Sequence, residues 1–124
     1  EDFDSGPIIK VLKFAIDSKL ETAFSLERTT QIKLYELFEQ VMGLFIQGAE
    51  IATTPNQGGT YLTGEELEKL KMVDLEKDPP AVIDRKIRAF FFPPYAGAKV
   101  NAQGKEYTLI NDKILELIFR ELNK

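Results

Sequence analysis

The run Pro7-Ile8-Ile9-Lys10-Val11-Leu12-Lys13-Phe14-Ala15-Ile16 constrains the fold more than any other segment. β-Branched and apolar residues fill it almost without a break, the pattern of a strand covered on both faces rather than one with a wet side. Such a strand needs neighbours in its sheet and layers above and below. The next strong element is helical. From Leu26 to Gly48, apolar residues recur at Ile32, Leu34, Leu37, Phe38, Val41, Met42, Phe45 and Ile46, with Ser25 as the expected N-cap and Gly48 as the expected stop. So wide an apolar face expects a sheet on one side and a further element on the other. Strand followed by helix reads as the last βα unit of an open α/β sheet, with the earlier strands expected upstream of Glu1.

The run Ala52-Thr-Thr-Pro-Asn-Gln-Gly-Gly59 is turn chemistry and marks a boundary near residue 55, with Gly58-Gly59 as linker. The chain beyond this boundary reads as a small α+β domain. Thr63-Gly64-Glu65-Glu66 matches a capping box and opens a short helix to about Lys71, with Glu65, Glu66 and Glu68 on a solvated face. Asp78-Pro79-Pro80 starts another helix that continues to Phe90, and Pro93-Pro94 ends it. Ala98–Val100 and Glu106–Ile110 flank a glycine-containing loop and read as a hairpin. Asn111 caps a closing helix that puts Ile114, Leu117, Ile118 and Leu122 on one face. The expected domains are therefore residues 1–55 and 56–124.

Composition narrows the chemistry. The 124 residues are 44% hydrophobic and 29% charged, ordinary for a globular chain. No stretch approaches the roughly 20 apolar residues of a membrane span, and the acidic start is unlike a secretory signal, so a soluble cytoplasmic protein is expected. Cysteine and histidine are both absent. That removes thiolate and imidazole metal ligands, disulfides, and any Ser-His-Asp or Cys-His constellation built from these residues alone. The net charge of −4 offers no broad footprint for nucleic acid.

Three segments carry a resemblance. Asp2-Phe3-Asp4-Ser5-Gly6-Pro7 is similar to the Asp-x-Gly-Pro turn of the 10-formyltetrahydrofolate-dependent formyltransferases, the family of methionyl-tRNA formyltransferase, glycinamide ribonucleotide formyltransferase and the sugar-nucleotide N-formyltransferases. Glu21-Thr22-Ala23-Phe24-Ser25-Leu26 resembles that family's Asp-Thr-Ala-x-Ser-Leu approach to the helix after its catalytic strand. Arg85-Lys86-Ile87-Arg88-Ala89-Phe90, with Phe92-Pro93-Pro94-Tyr95-Ala96-Gly97-Ala98, looks like its Ile-Arg-Ala and Pro-x-x-Gly-Ala segment. The three matches occur in the family's order.

The resemblance implies transfer of a formyl group from 10-formyltetrahydrofolate to a primary amine through a tetrahedral oxyanion. That intermediate needs hydrogen-bond donors and a path for the amine proton. The family uses an Asn, a His and an Asp. By motif match the Asp is Asp4, which orients and charge-stabilises the His, and Glu1, Asp2, Phe3 and Asp4 are the expected contacts to the pterin. The Asn-x-His pair is expected upstream, in an N-terminal part of the same protein, so the chain carries at most one catalytic residue. The short, acidic C-terminal portion favours a nucleotide-linked amino sugar over methionyl-tRNA as acceptor, and a homodimeric parent is left open. Arg85, Lys86, Arg88 and the aromatics to Tyr95 admit two readings. Arg88 and Tyr95 pair phosphate and stack a base of the acceptor, or the aromatics simply pack the C-terminal domain. The alternative for the whole chain is a non-catalytic binding module derived from the family.

Overall fold

The computed structural model describes residues 5–123. It is an α/β arrangement of four helices and one two-stranded antiparallel sheet: α1 (Ala23–Ile46), α2 (Gly64–Lys71), α3 (Pro80–Phe90), β1 (Lys99–Ala102), β2 (Lys105–Thr108) and α4 (Asp112–Leu122). The chain divides into two compact units. One takes the segment ending at Ala15 with Glu27–Tyr61, and the other takes Ile16–Leu26 with the chain from Leu62 onward.

In the first unit the expected buried strand is absent. Ile8 exchanges both backbone hydrogen bonds with Thr54, at 2.8 and 2.9 Å, and residues 9–16 enter no strand. Ile9, Val11 and Ile16 are exposed. A strand is held by a partner's ladder, and no described segment supplies one beyond that single bridge. The helical stretch of this unit, roughly 35 Å of α1 counted over its full length, lacks the expected sheet. None of its residues is buried, and Phe38 and Ile46 are 58% and 82% exposed.

The ends of α1 are well made. Thr22, not Ser25, is the N-cap: Ser25 N donates to Thr22 Oγ1 at 3.0 Å and Thr22 N donates to Ser25 Oγ at 2.9 Å, so Ser25 sits three residues inside and returns the bond. At the other end Gly48, at φ +65°, closes a Schellman motif in which Gly48 N donates to Phe45 O and Ala49 N to Leu44 O. Gly48 is where the periodicity placed the stop.

The second unit holds the core. Val73, Ile87, Phe91, Ala98 and Ile114 are buried together, with Phe24, Ile83, Leu109, Leu117 and Ile118 packed around them. Thr63 and Glu66 form the expected capping box on α2. On α3 the cap position is Pro79, because the Asp78 carboxylate is taken by Lys86 Nζ at 2.9 Å and Asp74 N at 3.1 Å. Asn111 caps α4 by accepting from Ile114 N at 2.9 Å. Leu122, expected on the buried face of α4, is exposed instead, one turn past the last core contact.

The hairpin turn is tighter than the five-residue loop suggested. Ala102 pairs with Lys105, leaving Gln103 and Gly104 as a two-residue turn with φ of +52° and +79°. Two left-handed residues match the twist of the flanking strands, and glycine takes the second at no steric cost. Gln103 bears the strain of a left-handed side-chain residue. Gln103→Asn is therefore expected to raise stability by about 0.5–1 kcal/mol, read as a higher thermal midpoint.

Ion pairs tie α2 to the hairpin. Glu68 accepts from Lys71 Nζ at 2.6 Å and from Lys99 Nζ at 2.9 Å, and these bonds hold its carboxyl down at about 2 from an ordinary 4.5. A carboxylate with a depressed folded-state value contributes stability above its unfolded value and loses it on acidification. The stability difference between wild type and Glu68→Gln should be constant above pH 4.5 and close as the pH falls towards 2. A gap that persists unchanged to pH 2 rules out the bridge as its source.

Candidate functional site

The turn containing Glu1, Asp2, Phe3 and Asp4, where the resemblance puts the pterin contacts and the catalytic carboxylate, lies outside the described residues. The other two motif segments are described, and the second unit locks them together. Asp17 starts a tight turn: its carbonyl accepts from Leu20 N and Glu21 N, and its side chain accepts from Lys19 N. This leaves the carbonyls of Ser18 and Glu21 pointing outward from the turn. Arg88, near the end of α3, donates from Nη1 to both, at 2.9 and 3.0 Å, and from Nε to Asp84 Oδ2 at 3.0 Å. Asp84 is one helical turn earlier, the spacing at which a carboxylate and a guanidinium meet. Its second oxygen accepts from Asn111 Nδ2 at 2.7 Å. One ionic network thus joins the turn before α1, the end of α3 and the cap of α4, and the Arg88 side chain is only 11% exposed.

Phe24 makes the apolar half of the same joint. Its backbone N donates to Phe91 O at 3.0 Å, and its ring meets Phe91 and Phe92 edge-on with centroids 6.3 Å apart in both cases. Edge-to-face contact suits rings whose faces are negative and edges positive. After α3 the chain turns through a cis Pro93-Pro94 bond, and Tyr95 N donates to Phe92 O. The Tyr95 ring lies on Phe92 at 6.0 Å and 16°, with Tyr95 itself 70% exposed. A pocket of about 130 Å³ opens beside it, lined by Ile87, Phe91, Pro93, Pro94, Tyr95 and Leu109 among others.

Arg88 and Tyr95 are therefore seven positions apart but unlike in setting. The guanidinium is held by the protein's own carbonyls and a carboxylate, whereas the tyrosine presents a free ring face to solvent. Lys86, another cation of the same motif, is also engaged, donating to Met72 O at 2.6 Å and to Asp78. A concavity of about 610 Å³ is lined by Asp74, Asp78, Lys86 and Asn101 among others, and Asp74, Asp78 and Lys86 there are bonded to one another or to nearby backbone. Among the described residues no group of His, Cys, Asp or Glu is placed to hold a metal ion, and no helix is long and apolar enough to cross a membrane.

Sequence reasoning missed Asp84, and gave Asn111 only a capping role. The i,i+4 spacing of Asp84 and Arg88 was the available signal. The pairing with residues 18 and 21 had none, because it joins positions 70 and 67 apart.

No family model matches the chain, and no curated protein matches it. Among solved structures, the crystal structure of a 4-N formyltransferase from Francisella tularensis matches with a TM-score of 0.73 and 24% sequence identity. The match covers 90% of this chain and 46% of that one, so the chain spans less than half of the protein it matches. At this identity the finding is one of fold: this chain is folded like part of a 4-N formyltransferase.

Proposed function

We propose that the protein is a formyltransferase that moves a formyl group from 10-formyltetrahydrofolate to the amino group of a nucleotide-linked amino sugar. The observation that carries this reading is the fold likeness to a 4-N formyltransferase over 90% of the chain. The motif segments around Glu21 and Arg88, which resemble that family in sequence, also pack against each other. In this reading residues 1–55 belong to a catalytic domain and 56–124 to a small C-terminal domain, with Ile16–Leu26 packed against the latter. The bare apolar surface of α1 favours a larger protein in which further polypeptide covers it, since an exposed stripe of this size is unusual on a complete monomer.

In the proposed reaction the acceptor nitrogen attacks the formyl carbon. A carbon–nitrogen bond forms to give a tetrahedral oxyanion, its collapse breaks the bond to folate N10, and the proton lost by the amine ends on N10, so that tetrahydrofolate leaves neutral at that nitrogen. Asp4 is the proposed carboxylate of that proton path, acting with an Asn and a His from elsewhere in the protein, and Glu1–Asp4 border the pterin. Tyr95, with its open ring face, is the better placed of the two acceptor-binding candidates to stack a base, and Arg88 holds the segment that carries it.

The test is formyl transfer by the full-length protein, with 10-formyltetrahydrofolate and a panel of nucleotide-linked amino sugars, simple amines and methionyl-tRNA. Mass spectrometry of the product should show a gain of one formyl group on an amino sugar. Formylation of methionyl-tRNA alone corrects the acceptor. Acceptor binding without turnover replaces the enzyme by a binding module.

A further inference from the structure

The linker and the segment that follows the first motif meet in the folded chain. Ile8 N donates to Thr54 O at 2.8 Å and Thr54 N to Ile8 O at 2.9 Å, an antiparallel bridge between segments that flank α1 in the chain. Antiparallel chains run past one another. The residues before Ile8 therefore lead back through Gly6 and Ser5 towards Asp4, while those after Thr54 lead forward in the same direction to Asn56. Pro55 fixes its own φ and keeps Thr54 out of the helical region, and the chain reaches Asn56 without a bend. Alternation along an extended segment puts Thr54 and Asn56 on one face and Gln57 on the other. Ser5 and Asn56 are both engaged with partners. We propose that the Asn56 carboxamide positions the Asp4 turn for formyl transfer, an inference that rests on the function proposed above.

A short turn has few hydrogen bonds of its own, so a carboxylate on it keeps one direction only when groups from outside the turn hold it. A carboxamide suits that task. It offers two donors and an acceptor, and so can hold either a carboxylate oxygen or a backbone group. It carries no charge, which leaves the carboxylate's affinity for a proton undisturbed, where a lysine would lower it and a second carboxylate would raise it. The two main-chain bonds at Thr54 and the ring of Pro55 fix the backbone that carries Asn56, so little freedom is lost when the side chain engages. Gly58 and Gly59, at φ of +88° and +119°, then take the chain out of the extended conformation, and the ordered approach to the turn ends with Asn56 and Gln57.

Steady-state kinetics of the full-length protein, with 10-formyltetrahydrofolate and the amino sugar it formylates best, provide the test. Asn56→Ala should lower kcat by about tenfold or more, the weight of a hydrogen bond to a charged group, with KM for the amine within about twofold of wild type and the thermal midpoint unchanged. Gln57→Ala, on the other face, should match wild type. Thr54→Pro, which removes the N–H that donates to Ile8 O, should lower kcat by a similar factor, and combining it with Asn56→Ala should cost no more than either alone, as for two changes that break one device. If Asn56→Ala proves poorly folded by circular dichroism, the isosteric Asn56→Asp decides, because a negative charge brought beside the proposed carboxylate should lower kcat at least as far. A rate that survives Asn56→Ala or Asn56→Asp, a loss confined to KM, an equal loss in Gln57→Ala, or a loss that tracks the thermal midpoint each overturns the proposal while formyl transfer itself stands. A wild type that transfers no formyl group to any amine overturns the proposed function, and this inference with it.

Discussion

Ile114→Ala should lower the stability of the second unit by about 3–4 kcal/mol, measured by urea denaturation of the full-length protein with helical circular dichroism as the signal. Ile114 is 1% exposed, the largest side chain buried so completely, and its neighbours are Val73, Ile87, Phe91 and Ala98. Those neighbours come from α3 and the segments around it and the hairpin, so a cavity at Ile114 cannot be closed by moving one element. The backbone N of Ile114 is bonded to the Asn111 side chain, which also holds Asp84, and this anchors the start of α4 while the space stays empty. Domains of this size have only about 5–15 kcal/mol of net stability, so the loss is a large fraction. Ile114→Val, which removes one methyl group, should cost about 1 kcal/mol. A loss below about 1 kcal/mol for the alanine variant contradicts the placement of the core.

Asp4→Asn should reduce formyl transfer by the full-length protein by about 10²- to 10⁴-fold, the range expected when a group that manages a proton in the transition state is removed. A loss of this kind is specific to the proposed reaction. Asparagine keeps the size and much of the hydrogen bonding of the carboxylate but cannot carry its charge, so kcat should fall while KM for the amine and the thermal midpoint stay near wild type. Arg88→Ala provides the contrast, because removing the guanidinium frees the carbonyls of Ser18 and Glu21 and leaves Asp84 without its cation. Its main effect is on stability. A rate unchanged in Asp4→Asn removes Asp4 from the mechanism, whatever the acceptor.

Local chemistry in the amino-acid order was sufficient for the helix ends and the turns. The Thr63–Glu66 box, the Asn111 cap, the glycine stop at Gly48 and the glycine of the hairpin each satisfy or release backbone groups within a few residues, so nothing distant is needed to read them. The motif order was legible for the same reason, being a property of the string. Other features were decided only by the tertiary structure. Thr22 rather than Ser25 caps α1, because Thr22 is the one buried where the turn meets Phe91. Residues 9–16 have the composition of a strand and no ladder to join, since a strand's hydrogen bonds belong to its partner and not to itself. Arg88 reads in the sequence either as a cation that meets phosphate or as one solvated on a helix face. Its role was set by two carbonyls 70 and 67 positions away, which only the folded chain brings within reach.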